Sequence, residues 1–93
     1  MRFEWNEDKA EINLARHRID FTEAVEAFFD PQVVDDFDAD HSDDEPRYNL
    51  IGFSSRRLLF VVYTEPEAGL AHLISARKAE KKHQRTYEEE NFG

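Results

Sequence analysis

The spacing of apolar residues changes along this chain, and the change predicts its elements. Phe3–Trp5 reads as a short strand, after which Asn6 or Asp8 can cap a helix running to about His17. Within that helix Ala10, Leu14 and His17 fall on one face, and Ile12 and Ala15 on a neighbouring one. A second helix has a sharper start. Asp20 stands three residues before Glu23, a capping-box spacing with Asp in the Ser/Thr place. Phe21, Ala24, Val25 and Phe28 follow at i, i+3, i+4 and i+7, an apolar stripe. Asp30-Pro31 ends it, because a residue before proline is pushed out of the α region.

From there the period shortens. Val33–Phe37 is β-branched and aromatic enough for a strand. Residues 38–46 form an exposed acidic loop closed by Pro46. Tyr48–Phe53, Leu58–Thr64 and Leu70–Ala76 are three more strands, with links short enough for antiparallel hairpins. In the last of them Ala71 and Leu73 share one face, and His72 and Ile74 the other. The middle run is apolar almost throughout, which predicts a central strand covered on both faces. Residues 77–90 are rich in Ala, Glu, Lys, Gln and Arg and predict a terminal helix. The order β-α-α-β-β-β-β-α points to one domain over 1–93. Its class is α+β: an antiparallel sheet with two N-terminal helices and one C-terminal helix packed on it.

Composition narrows the setting. Eight Phe, three Tyr and one Trp supply one core for 93 residues. With no cysteine, neither a disulfide framework nor a thiolate metal site is open to the chain. Met1-Arg2-Phe3-Glu4-Trp5 has no apolar signal core, and the longest apolar run, Leu58–Tyr63, is far short of a membrane span. A soluble, cytoplasmic protein with no membrane partner is the expectation. The net charge of −9 argues at first against a polyanionic ligand, but its distribution changes the picture. Residues 20–50 carry 11 acids and one base (−10), whereas 77–85 carry five bases and one acid (+4). A local basic surface on an acidic molecule is therefore expected.

Several chemistries drop out. Asp36, Asp38 and Asp40 suggest a calcium loop, but His41 and Arg47 stand where an EF-hand needs Gly and Glu. Three glycines in the whole chain leave no phosphate-cradling loop. No serine triad and no zinc site are signalled, so no cofactor and no metal are expected.

Trp5-Asn6-Glu7-Asp8-Lys9, Asn13, Arg16-His17, Phe21 and Glu23-Ala24 resemble the opening of BrnT-family proteins. Asp40-His41-Ser42, Arg47-Tyr48, Ile51-Gly52, Ile74-Ser75-Ala76-Arg77-Lys78-Ala79 and Tyr87 continue the resemblance in order. Tyr48 stands where relatives usually carry Trp, and Pro46 where Glu is commoner. The resemblance implies the toxin of a type II toxin–antitoxin pair: a RelE-like ribonuclease that cleaves RNA and inhibits translation. It also implies a ribbon-helix-helix antitoxin of the BrnA type as partner, in a 2:2 complex, with DNA reached only through that antitoxin.

RNA cleavage without a metal needs a base near the 2′-hydroxyl, an acid near the 5′-oxygen and cations around the phosphorane. His17 closes the first helix, where the dipole favours positive charge. Lys9 lies about two turns earlier, roughly on the same face. Arg77 is expected at a strand end, opening a helix whose N-terminus adds positive potential. Lys78 and Arg85 extend that surface and would bind substrate. Arg47 is either a second phosphate clamp or the partner of Asp43, Asp44 or Glu45. Tyr87 is a proton donor, a base-stacking group or a core residue. His41, His72 and His83 have more ordinary explanations. The competing reading is a catalytically inactive module that only holds the antitoxin and tunes operon repression. It requires no convergence of these side chains, whereas catalysis requires His17, Arg77 and at least one of Lys9, Arg47 and Tyr87 around one concave site.

Overall fold

A computed structural model describes residues 1–42 and 45–93. Its elements are β1 (Arg2–Glu4), α1 (Glu7–His17), α2 (Phe21–Ala27), β2 (Val34–Phe37), β3 (Arg47–Phe53), β4 (Leu58–Glu67), β5 (Leu70–Lys78) and α3 (Lys81–Phe92). Both early helix starts follow from their caps. The Asn6 side chain accepts the Lys9 N–H, and the Asp20 carboxylate accepts the N–H and hydroxyl of Thr22. Those Thr22 bonds hold the Asp20 carboxyl below its usual range. Glu23 does not close the expected capping box. It turns instead to Arg57 and Ser54.

The five strands order as β1-β5-β4-β3-β2, and β4 is central as expected. Strands β2 to β5 pair antiparallel, but β1 runs parallel to β5, so the sheet is mixed. Short hairpin links dictate antiparallel pairing for β3, β4 and β5. No such link constrains β1, which reaches β5 from the other end of the chain. There Phe3 packs edge-on against Phe28 at 4.9 Å, and Glu4 meets His72 at 2.7 Å.

Leu59, Val61 and Tyr63 of β4 face the main core, with Phe21, Ala24 and Ala27 of α2 above them. The other sheet face is covered over only part of its length, where α3 packs Tyr87 against Val34, Ile51, Leu58 and Phe60. Gly52 marks the closest approach of α2 to the sheet: a Cβ there would stand 2.5 Å from the Ala27 carbonyl oxygen. Among the described residues, no helix is long and apolar enough to cross a membrane.

Three local differences bear on the site. First, β5 continues to Lys78 and α3 begins only at Lys81. Leu59 and Phe60 offer ladder partners to Lys78 and Arg77, and that pairing overrides their helix preference. Second, Ile74 is a bulge: Val62 pairs with Ser75 and Tyr63 with Leu73, leaving Ile74 between them. Third, the inner face of α1 is Ala10, Asn13 and His17, and its one buried residue is polar. Ile12 and Leu14 are 56% and 44% exposed.

Candidate functional site

β1 covers only the first residues of β5, from Leu70 to His72. Beyond them the outer edge of β5 would present bare backbone groups, which are costly if buried unpaired. Asn13 meets that need. Its amide nitrogen donates to the Ala76 carbonyl at 2.9 Å, and its amide oxygen accepts the Ala76 N–H at 3.1 Å. The same nitrogen donates to the Ile19 carbonyl at 3.0 Å. One buried side chain thus stands in for a missing strand, locks α1 to β5 and fixes the α1–α2 connection. The end of α1 is thereby held beside the end of β5.

Two adjoining depressions lie at this corner. One is lined by Lys9, Ile12, Asn13, Arg16, His17, Ile74 and Ser75. Arg16, His17, Arg18, Arg57, Arg77, Lys78 and Glu80 line the other. His17, half-buried, and Arg16 belong to both. Together the depressions gather six of the chain's 12 lysines and arginines against one carboxylate, Glu80. A basic surface on an acidic molecule is therefore present, and it is built from three separate stretches of chain. Arg18 turns the chain out of α1 in a left-handed conformation (φ 62°), donating its N–H to the Leu14 carbonyl.

Arg77 sits on a strand and not at a helix N-terminus, so the expected dipole contribution falls away. Its position is set by the Phe60 ring, whose centroid lies 5.4 Å from the guanidinium carbon, and by Glu80 at 3.4 Å. Phe60 is in turn stacked on His83, with ring centroids 4.0 Å apart. The His83 Nδ1 accepts the Glu80 N–H at 3.0 Å. Burial, with Arg77 and Lys82 nearby, keeps its imidazole below the usual histidine range.

Glu23 and Arg57 are the other fixed pair. Arg57 Nε and Nη2 donate to the two carboxylate oxygens of Glu23 at 2.9 and 2.8 Å. Ser54 adds a hydroxyl at 2.8 Å. The Arg57 bond outweighs the effect of burial and holds the Glu23 carboxyl below its usual range.

Arg47, Tyr87 and Arg85 lie elsewhere and line neither depression. Arg47 pairs with Thr64 on β4 and Arg77 with Phe60, so they are separated by four residues, roughly 13 Å along that strand, and flank it on opposite sides. The backbone of Arg47 closes the acidic loop: its N–H donates to the Ser42 hydroxyl, and its carbonyl accepts the Asp38 N–H. Asp43 and Asp44, two of its expected partners, lie outside the described residues. Tyr87 is buried, its ring edge-on to Phe53 and its hydroxyl donating to Asp30 at 2.6 Å. Burial and that bond push its phenol up to about 12. Burial raises the Asp30 carboxyl, but the bonds from Tyr87, Phe53 and Gln32 prevail and hold it low. Arg85 is exposed on α3, while His83 and Tyr87 face the sheet. His41 bonds Asp38 at 3.0 Å and His72 bonds Glu4, the ordinary roles expected of them.

Lys9, His17, Arg77 and Lys78 are thus brought to one corner, joined by Arg16, Arg18 and Arg57. Sequence reasoning passed over Arg57 and the structural role of Asn13. The one available sign was a polar residue among apolar neighbours in α1.

Fold and site together define a small mixed α/β protein that concentrates positive charge where α1 closes the edge of β5. A family model described as "Ribonuclease toxin, BrnT, of type II toxin-antitoxin system" matches residues 5–83, and the chain belongs to that family. Membership implies an antitoxin partner. The fold is similar to the crystal structure of the Brucella abortus ribonuclease toxin, BrnT, with a TM-score of 0.66 at 24% identity. The similarity covers 87% of this chain and 99% of that one. A search of curated proteins gives no significant match.

Proposed function

We propose that this toxin is a RelE-like endoribonuclease that cuts RNA at the α1–β5 corner without a metal. The observation that carries this reading is the meeting of His17 with six cations around adjoining depressions. In the proposed reaction the 2′-hydroxyl attacks the adjacent phosphorus and the 5′-oxygen leaves. The products are a 2′,3′-cyclic phosphate and a 5′-hydroxyl. His17, Lys9 and Lys78 are the groups there able to pass a proton. Arg77 cannot give its proton up, so it stabilises the charge that develops on the phosphorane. Lys78 and Arg16 hold flanking phosphates. The one carboxylate lining the depressions, Glu80, is paired with Arg77, and Glu23 is paired with Arg57. Positive charge in the site therefore comes from side chains.

Translation is inhibited as messages are lost, in the cytoplasm. The proposed partner is a ribbon-helix-helix antitoxin of the BrnA type, in a 2:2 complex through which alone DNA is contacted. The test is inducible expression without antitoxin, wild type beside Arg77→Ala. Wild type is expected to arrest growth and degrade cellular RNA, and Arg77→Ala to do neither while remaining soluble. If both are soluble and harmless, the chain is an antitoxin-binding module instead.

Tyr87 provides a complementary check, because its hydroxyl is committed to Asp30. Tyr87→Phe is expected to cost about 1 kcal/mol of stability and leave RNA cleavage at the wild-type rate. Loss of cleavage with an unchanged melting curve would return Tyr87 to the chemistry.

A further inference from the structure

We propose that Arg57 is a pre-set RNA-phosphate anchor of this corner and that Glu23 is the residue that positions it. The proposal rests on the RNA-cleavage reading above and extends it to a residue outside the family motif segments.

Arg57 is held at both ends. Its main chain belongs to a tight turn in which the Ser54 hydroxyl accepts the N–H groups of Arg56 and Arg57 at 3.1 and 3.2 Å. The Ser54 N–H donates to the Arg57 carbonyl at 2.9 Å. The guanidinium is fixed by the bidentate bond to Glu23, a residue only 9% exposed, and Nη2 also reaches the Arg18 carbonyl at 3.4 Å. Nη1 has no partner among the described residues, and the side chain lines the depression with Arg16, His17, Arg77 and Lys78.

An ion pair serving only to tie α2 to the β3–β4 hairpin would be poorly placed here. Arg16, Arg18, Arg77 and Lys78 line the same depression and repel another cation. Apolar side chains could make the same tie without it. An anion in the depression relieves the repulsion. A guanidinium already locked in one geometry also binds a phosphate with little further loss of rotamer freedom.

The test combines binding and kinetics on the full chain. A fluorescein-labelled 2′-O-methyl RNA oligomer, which cannot be cleaved, reports affinity across a series of KCl concentrations. Unmodified RNA reports kcat and KM. Arg57→Gln is expected to bind the oligomer roughly ten- to a hundredfold more weakly. It should also flatten the slope of log affinity against log salt by about 0.7, the signature of one lost phosphate contact on a single strand. Glu23→Gln keeps the cation, so its salt slope should match wild type while kcat falls about tenfold. A purely structural role would not separate the two variants in this way.

A folded Arg57→Gln protein with wild-type affinity and salt slope overturns the proposal. If the Gln variants do not fold, Arg57→Lys decides: a lowered kcat at unchanged slope supports the anchor, and wild-type kinetics overturn it. Wild-type protein that neither binds the oligomer nor cleaves RNA overturns the RNA reading itself, and this proposal with it.

Discussion

Replacing His17 by alanine is expected to slow RNA cleavage by about 10²–10⁴-fold, the usual contribution of a positioned proton-transfer group. The chain itself should remain folded. His17 is half-buried at the end of α1 and has no hydrogen-bond partner among the described residues, so its removal breaks no structural bond. It lines both depressions, which places it where a strand of RNA crossing the corner would pass. His17→Gln should be equally slow, because an amide keeps the shape and polarity but cannot move a proton at neutral pH. Arg77→Ala should lose about 10²–10³-fold for a different reason, the loss of a charged donor to the transition state. Single-turnover cleavage of a defined RNA, with melting curves alongside, measures both. A folded His17→Ala protein at the wild-type rate would remove His17 from the chemistry and leave Lys9 and Lys78 as its proton carriers.

Asn13→Ala is expected to be the most damaging single change to the fold. It strips partners from the Ala76 N–H, the Ala76 carbonyl and the Ile19 carbonyl at once, in a position where Asn13 itself is only 5% exposed. Unpaired buried groups of this kind cost about 1–3 kcal/mol each, partly relieved where water can enter at the vacated edge. A total of about 2–4 kcal/mol is expected, which lowers the melting temperature of a chain this size by roughly 10–25 °C. Asn13→Asp should be no better, since a carboxylate would face two carbonyl oxygens where the amide donates. Activity should fall further than stability explains at temperatures where the variant is still folded, because α1 would no longer be pinned beside β5. A variant with an unchanged melting temperature would show that the edge of β5 is satisfied in some other way.

What the sequence makes legible here is what local chemistry decides. The Asp20 cap, the stripe through Phe28 and the short strand links are all local, and each appears as expected. Pairings between distant segments are less visible. The parallel seat of β1 depends on an edge of β5, 66 residues or more along the chain, that no turn signal announces. The reach of β5 to Lys78 depends on ladder partners from β4, against the helix preference of its own residues. In α1, Leu14 shares a face with Ala10 and His17 in the sequence pattern yet is 44% exposed, and Asn13 takes the buried place, because an amide acting as a strand is recognisable only once the strand edge exists. The same applies to the site. Lys9 and His17 sit on a helix whose ends are readable, whereas Arg77 and Lys78 lie on the stretch of β5 that its own residues do not announce. Arg57 was hidden because Glu23 fits a capping box locally, whereas its partner lies 34 residues away. Arg47 and Tyr87 are the reverse case: suitable residue types that the fold commits to the sheet's other end and to the packing of α3.

The most direct test of the account is the chemistry of the cut ends. Purified toxin, freed of antitoxin, is incubated with a defined RNA in excess EDTA, and the termini of the fragments are identified. Cleavage is expected under these conditions, with 2′,3′-cyclic phosphate on the upstream fragment and 5′-hydroxyl on the downstream one. Cleavage that stops in EDTA and returns with magnesium, or fragments ending in 5′-phosphate and 3′-hydroxyl, would contradict it.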